Sequence, residues 1–283
     1  MNFLIIISEK DLASLTLGEK LKEKPYSKVS ENLYKLDIDG ENNIYFKEIT
    51  TRHIYSKQED IIPKDIKVDN IIFLSKHSTL NEFKPKAMTV HAIGNWGKAE
   101  LGGRDSTIVK TDPILIRSLL MALKKNKPKN IKSYEVKQEA THHGPYLDYS
   151  TIFYEIGSQE SDWSNKDVAK YMIDILLDTI KNYDKQKIIS EKNWIPAVGV
   201  GGSHYCTRFN KKTFQNSNQF AFGHVAPNYV LEDVRKNPDI LEQAKEKSNA
   251  KRIIKEEELW FFFLSIFWIN IINNFIFNWI NCT

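Results

Sequence analysis

The residues best suited to chemistry in this chain are its seven histidines: His53, His77, His91, His142, His143, His204 and His224. All but His53 lie at or just beyond the end of a short apolar run, beside small or turn-forming residues. His77 sits in Leu74-Ser75-Lys76-His77-Ser78 and His91 in Val90-His91-Ala92-Ile93-Gly94-Asn95. The pair His142-His143 occurs in Glu139-Ala140-Thr141-His142-His143-Gly144-Pro145, His204 in Gly201-Gly202-Ser203-His204-Tyr205, and His224 in Gly223-His224-Val225-Ala226-Pro227. Imidazole transfers protons near neutral pH and, when neutral, binds metals. Ligands of open α/β sheets bind outside the carboxyl ends of the strands. His91, His142 or His143, His204 and His224 are therefore expected to line one cleft at those ends. Adjacent residues of a regular strand point to opposite faces, and Gly144-Pro145 turns the chain directly afterwards. One ring of the pair is expected to face the cleft and the other to support it. Glu139, four residues before His143, is within reach as ligand, base or partner of an imidazole N–H.

Two kinds of site fit these residues. Zinc takes three or four N, S or O ligands, and a scattered set from His91, His142, His143, His204 and His224 with Glu139 or Asp105 would supply them. A metal-free His/Glu acid–base site fits the same spacing. Several familiar motifs fail. Gly199-Val200-Gly201-Gly202-Ser203-His204 has histidine where the dinucleotide fingerprint needs its third glycine, and neither a phosphate-binding G-x-x-x-x-G-K-[ST] loop nor a G-x-S-x-G elbow occurs. Cys206, two residues from His204, reads as packing rather than as a nucleophile. Gly102-Gly103 and Gly199 to Gly202 could present backbone N–H groups to an oxyanion, or simply turn the chain. Lys124, Lys125, Lys127, Lys129, Lys132 and Lys137, opposed only by Glu135, form the most basic stretch, and Arg208, Lys211 and Lys212 form a second. Either run would suit a polyanion such as RNA.

The elements that must position these groups are legible in outline. Strands are expected over Phe3–Ser8, Ile44–Thr50, Asn70–Ser75, Ala87–Ile93, Tyr134–Ala140, Thr151–Gly157, Pro196–Val200 and Phe220–Val225, each short, β-branched or aromatic, and ended by turn chemistry. Asp112 as N-cap with Pro113 at the first helical position opens a helix whose apolar face carries Leu115, Leu119, Ala122 and Leu123. Ser164 with Asp167 resembles a capping box for a second helix, with a stripe of Val168, Tyr171, Met172, Ile175, Leu176 and Thr179. A weaker helix is expected over 239–250. Strands interleaved with helices over about 250 of the 283 residues indicate an α/β sandwich around a mixed, mostly parallel sheet. With 41% hydrophobic and 27% charged residues, collagen, a disulfide scaffold and wholesale disorder are excluded. The net charge of +4 permits an anionic partner without demanding one. Two cysteines and the absence of a signal-peptide pattern point to a reducing, cytoplasmic setting. One catalytic domain is expected over 1–258. The tail 259–283 carries no charge and is built mainly from Ile, Phe and Asn. A shifted reading frame, a membrane contact or a buried helix would each produce it.

Taken together in order, these segments resemble the archaeal- and plant-type D-aminoacyl-tRNA deacylases over roughly Met1 to Asp233. The Glu-Ala-Thr-His-His-Gly-Pro segment is the most specific, with Glu155-Ile156-Gly157-Ser158 before Trp163 adding to it. The resemblance implies a three-layer α/β/α fold of the phosphorylase/peptidyl-tRNA-hydrolase type, a monomer with no obligate protein partner, zinc dependence, and hydrolysis of the ester joining a D-amino acid to the terminal ribose of tRNA. Ser203 departs from it where a third glycine is expected, and nothing in Leu259 to Thr283 matches the family's C-terminal part. Residues and resemblance together place catalysis on His142, His143 and Glu139, and metal ligation on His91, His204 and His224. Substrate contacts are expected from Gly201, Gly202 and Asn95, and tRNA contacts from Lys124, Lys125 and Lys127. A non-catalytic tRNA- or nucleotide-binding protein would need the lysines without the histidines. A zinc peptidase or amidohydrolase would need the histidines without the lysines.

Overall fold

A computed structural model of the chain describes residues 1–79, 82, 84–125, 127–215 and 219–259. The tail 260–283, with Cys282, lies outside the described residues, and so do the readings made for it. Among the described residues no helix is long and apolar enough to cross a membrane.

The strands are β1 (Asn2–Ser8), β2 (Tyr26–Ser30), β3 (Leu33–Leu36), β4 (Asn43–Ile49), β5 (Asn70–Lys76), β6 (Ala87–Ala92), β7 (Gly94–Asn95), β8 (Thr107–Ile108), β9 (Glu135–Gln138), β10 (Ser150–Gly157), β11 (Ile195–Val200), β12 (Phe220–Ala226) and β13 (Arg252–Lys255). The helices are α1 (Leu12–Lys22), α2 (Gln58–Ile61), α3 (Pro113–Lys125), α4 (Glu160–Trp163), α5 (Lys166–Ile180), α6 (Tyr183–Asn193), α7 (Thr207–Thr213), α8 (Leu231–Lys236) and α9 (Asp239–Lys247). The fold is α/β, around an eight-stranded sheet in the order β2-β3-β4-β1-β5-β10-β6-β9. It is parallel from β4 through β10 and again between β6 and β9, while β6 runs antiparallel to β10.

Phe3-Leu4-Ile5-Ile6-Ile7 shows why β1 lies in the middle. A strand buried on both faces reads as a continuous apolar run, and all five of these side chains are buried. Phe3, Ile5 and Ile7 pack with α1, α3 and α5 on one face, while Leu4 and Ile6 join Phe73, Phe153 and Leu147 on the other. Asp112 caps α3 as expected, its Oδ1 accepting from the backbone N–H of Ile114 at 3.0 Å and Leu115 at 3.3 Å. The cap of α5 is Asn165 rather than Ser164. Ser164 instead ends the preceding turn α4, where Gln159 and Asp162 form the capping box. The hairpin β2–β3 and strand β13 escape a hydrophobic-pattern reading, because β2 is an exposed edge and β13 is a short charged segment with one buried side chain.

The sequence reading did not foresee a second sheet, β12-β11-β13, parallel throughout. Helix α3 packs against both sheets. The edge strand β9 is tied to the second sheet by side-chain amides. Gln138 Nε2 donates to the carbonyls of Phe222 and Gly223, and Asn210 brackets the Gln138 backbone at 2.7 and 2.8 Å. Just beyond β9, the Ala140 N–H donates to the His204 carbonyl and the Thr141 N–H to the Val225 carbonyl. The seam between the sheets is thus a continuous set of hydrogen bonds, and residues 139–144 run along it.

His53 is buried apart from this seam, its ring edge-on to Phe73 and Phe153 and its Nε2 3.3 Å from Ser14 Oγ. Burial pushes its pKa down to about 4. The unfolded chain takes up that proton at about pH 6.5, so the contribution to stability is complete above 6.5 and is lost as pH falls towards 4. His53→Gln should flatten denaturation free energy against pH over this window by about one proton per molecule. An unchanged slope would show that His53 is charged in the folded state.

Candidate active site

Glu139 is the pivot of the seam. Its carboxylate is about 1% exposed, with Oε1 2.8 Å from His77 Nδ1 and Oε2 3.1 Å from His204 Nε2. His77 arrives from the end of β5 and His204 from the turn after β11, so one carboxyl group is held by imidazoles from both sheets. Burial alone would favour the protonated acid. His204 and His77 outweigh it and hold Glu139 well below the usual carboxylate range. The outer nitrogens of both rings reach tyrosine hydroxyls, Tyr205 at 3.2 Å from His77 Nε2 and Tyr229 at 3.0 Å from His204 Nδ1. His77 and Glu155 join the site although neither is among the residues expected there. Glu155, buried on β10, accepts from Thr89 Oγ1 and lies 3.6 Å from His91 Nε2. Alternation along β6 and β10 could have found this group, since Thr89, His91, Phe153 and Glu155 share one sheet face.

His91, His142, His143 and His204 form a run of touching rings. Centroids are 4.4 Å apart for His91–His142, 4.3 Å for His142–His143 and 4.6 Å for His142–His204, with Phe153 4.7 Å from His143 as a floor. The two adjacent histidines do not point to opposite sides. His143 has φ +49°, in the left-handed region, and this swings its ring round beside that of His142. Non-glycine residues are uncommon there, and the backbone is held by its surroundings: the Gly94 N–H donates to the His143 carbonyl and the Gly144 N–H to the Leu101 carbonyl.

Hydrogen bonds set the tautomers. The Nδ1 atoms of His91, His142 and His143 lie 3.0, 2.8 and 2.6 Å from the carbonyls of Ala92, Ala140 and Gly144. A carbonyl can only accept, so each Nδ1 carries the proton and each Nε2 keeps its lone pair. His91 Nε2 is buried without a hydrogen-bond partner. One ligand atom from each of these three lies within 4.8 Å of the others, and Glu139, His142 and His204 form a second such group. Burial first, and the neighbouring imidazoles second, hold His142 well below its ordinary value, and His143 is pushed down to about 3. Burial also pulls at His91 and His77, but Glu155 and Glu139 respectively outweigh it and both end raised.

The other expected residues are placed differently. His224 stands behind the cluster, fully buried, with Nδ1 3.1 Å from Thr141 Oγ1, and belongs to none of the ligand groups. The Gly201 N–H donates to the Ala226 carbonyl and the Gly202 N–H to Asn228 Oδ1, so neither offers a free donor, and both residues adopt positive φ in a tight turn. Asn95 Nδ2 donates to the Gly102 and Arg104 carbonyls and so shapes a loop. Asp105 Oδ1 accepts from the Ala99 N–H. Lys124 Nζ sits 3.8 Å over the Phe214 ring and Lys127 Nζ donates to the Tyr134 carbonyl. The lysine of that run linked to the site is Lys137, 4.9 Å over the Tyr205 ring. Cys206 is buried, with its thiol pushed up by burial, which makes it a poor nucleophile.

An α/β fold with three imidazoles converging on one point, beside a buried carboxylate–histidine pair, is built for hydrolytic chemistry. The comparisons give the family. The family model described as D-aminoacyl-tRNA deacylase matches residues 64–259. A D-aminoacyl-tRNA deacylase of Picrophilus torridus is 33% identical over 252 residues, covering 89% of this chain and 88% of its own length. One from Archaeoglobus fulgidus is 30% identical, covering 90% and 87%. A crystal structure described as a conserved protein of unknown function superposes with a TM-score of 0.78 at 30% identity, over 91% of this chain and 86% of that one. This chain belongs to the D-aminoacyl-tRNA deacylase family.

Removing Glu139 should be costly twice over, since it leaves His77 without its carboxylate and the seam without its pivot. Glu139→Ala is expected to lower denaturation free energy by about 3–5 kcal/mol, the usual penalty for breaking one side of a buried pair. Glu139→Gln, which keeps shape and an acceptor, should lose much less. Equal losses for the two would show that volume, not charge, is what the seam needs.

Proposed function

We propose that this chain hydrolyses the ester between a D-amino acid and the terminal ribose of tRNA, as the names of its relatives describe for them. The observation that carries the proposal is the His204–Glu139 pair at the mouth of the histidine cluster, on a chain of that family. His204 is about one-third exposed, while Glu139 is sealed behind it. An attacking water needs a base, and the departing ribose oxygen needs a proton. His204 Nε2 donates to Glu139 Oε2, so the lone pair lies on Nδ1, which can accept the first proton and return it to the leaving oxygen while the Glu139 carboxylate stabilises the imidazolium formed in between. Glu139 is therefore a positioning residue that acts through His204. Tyr229 Oη lies 3.0 Å from His204 Nδ1 and sets the orientation of the ring.

The donor set formed by His91, His142 and His143 fits zinc: each ring has Nδ1 fixed by a carbonyl, which leaves Nε2 as the ligand atom, and His91 Nε2 makes no hydrogen bond, with Glu155 3.6 Å away. Bound there, zinc would supply a Lewis acid for the ester carbonyl and a lowered pKa for water. The carbonyl-fixed tautomers and the low proton affinity of His142 and His143 keep the lone pairs available at neutral pH. A non-catalytic binding protein has no use for this cluster of converging imidazoles.

Deacylation of D-Tyr-tRNA compared with L-Tyr-tRNA, with and without a chelator, tests the reading directly. Turnover of the D-ester, weak turnover of the L-ester and loss on chelation are expected. No turnover of the D-ester by metal-loaded protein would overturn the function, and chelator-resistant turnover would overturn the metal.

His204→Ala and His142→Ala should each lower kcat by about 10²–10⁴-fold while leaving tRNA binding largely intact. His142→Ala alone should also lower the bound-zinc content. Full turnover in both variants would remove the cluster from catalysis.

A further inference from the structure

Tyr55, Arg104 and Tyr146 surround a cavity of about 480 Å³ whose lining includes no histidine, and neither the histidine cluster nor the hydrolytic chemistry uses it. The Arg104 guanidinium lies 3.7 Å from the centroid of the Tyr146 ring, and the Tyr146 hydroxyl is tied to Asp148 Oδ1 at 2.6 Å. Tyr55 is 54% exposed across the cavity, with the Arg52 guanidinium 5.7 Å from its ring centroid. Two exposed arginines against two tyrosines are not needed for the core.

Three backbones meet beneath this platform. A Cβ on Gly144 would lie 2.3 Å from the Gly103 nitrogen and 2.6 Å from the Ile54 carbonyl oxygen, and a Cβ on Gly102 would strike that same oxygen. The loops that carry Tyr55, Arg104 and Tyr146 are therefore packed directly on the residue that follows His143. Tyr146 is three residues beyond His143, so their Cα atoms are at most about 11 Å apart.

We infer that this cavity is a stacking subsite for an unpaired nucleobase at the 3′ end of the tRNA. The inference rests on the proposed deacylase reading and adds to it a place for the substrate's base. Unpaired bases are held by stacking on aromatic rings and on guanidinium planes, and both surfaces are present here, one laid on the other. Glu59 and Asp148 are matched on the same cavity by Lys57 and Arg104, so the lining carries no excess of positive charge for a phosphate, and its carboxylates suit the exocyclic amino groups of adenine or cytosine. A base seated there would bring its ribose ester towards the histidines, because the platform and His143 share a backbone.

Tyr55→Ala and Arg104→Ala, both at exposed positions, test this against the conservative Tyr55→Phe and Arg104→Lys. Loss of a stacking partner should raise KM for D-Tyr-tRNA by about 5- to 150-fold with kcat little changed. Tyr55→Phe should keep the parent KM, and Arg104→Lys, which retains charge but not the plane, should behave as the alanine variant does. On D-Tyr-tRNA whose 3′-terminal nucleotides are abasic, the parent and alanine variants should show the same raised KM. Calorimetric binding of the uncharged trinucleotide CCA, which needs no turnover, should be seen with the parent and lost in both alanine variants. If the parent binds CCA but never cleaves a D-ester, the deacylase reading fails while the subsite stands. An unchanged KM, a full rescue by Arg104→Lys, an undiminished effect on the abasic substrate, or no CCA binding by the parent would each overturn the subsite.

Discussion

One buried carboxylate organises this protein. Glu139 has almost no contact with solvent, and an ionised carboxyl group in such a place must be paired or it takes up a proton. Its partners come from separate parts of the chain, His77 at the end of β5 and His204 in the turn after β11. Satisfying that charge fixes the second sheet against the first. The hydrogen bonds of Gln138, Asn210, Ala140 and Thr141 along the same seam hold that arrangement. The histidine cluster is a consequence of this docking, since without it His204 would not meet His142.

The electrostatics of the site divide into two kinds of imidazole. His77 and His91 face carboxylates and are raised, while His142 and His143 are surrounded by other imidazoles and by burial and are lowered. Like charges a few ångströms apart in a poorly solvated pocket cannot all be carried at once. The arrangement therefore keeps the middle of the cluster neutral, where lone pairs are wanted, and confines charge to its carboxylate-bearing rim. The apolar side of Phe153 beneath the rings keeps water out and strengthens each of these effects.

Backbone geometry does the remaining positioning. The left-handed conformation of His143 is unusual for a side chain with a Cβ, and it is held by main-chain hydrogen bonds from Gly94 and to Leu101. Glycines at 102, 103 and 144 let three main chains touch where any side chain would collide. Those contacts make the loop carrying Arg104 and the turn carrying the histidine pair a single unit, so the floor of the site and the surface beside it are set together.

Much of this was legible before any coordinates. Short apolar runs ended by turn residues marked the principal strands, because burial on both faces leaves an unmistakable pattern, and the Asp112-Pro113 cap located α3. Glu139-Ala140-Thr141-His142-His143-Gly144-Pro145 pointed to the centre of the site. Local pattern could not show that His77 and Glu155 belong to it while His224 stands behind it, since all are polar residues near strand ends and only strand order and register decide which share a face. Gly201 and Gly202 read equally well as ligand donors or as turn residues, and their N–H groups are taken up within the fold, as is the Nδ2 of Asn95, which reads as a substrate contact. The left-handed φ of His143 likewise depends on which loops pack against it. Sequence determines the chemistry on offer and the elements that carry it. The meeting of the two sheets, driven by the need to pair one buried charge, decides which of those groups come within reach of one another.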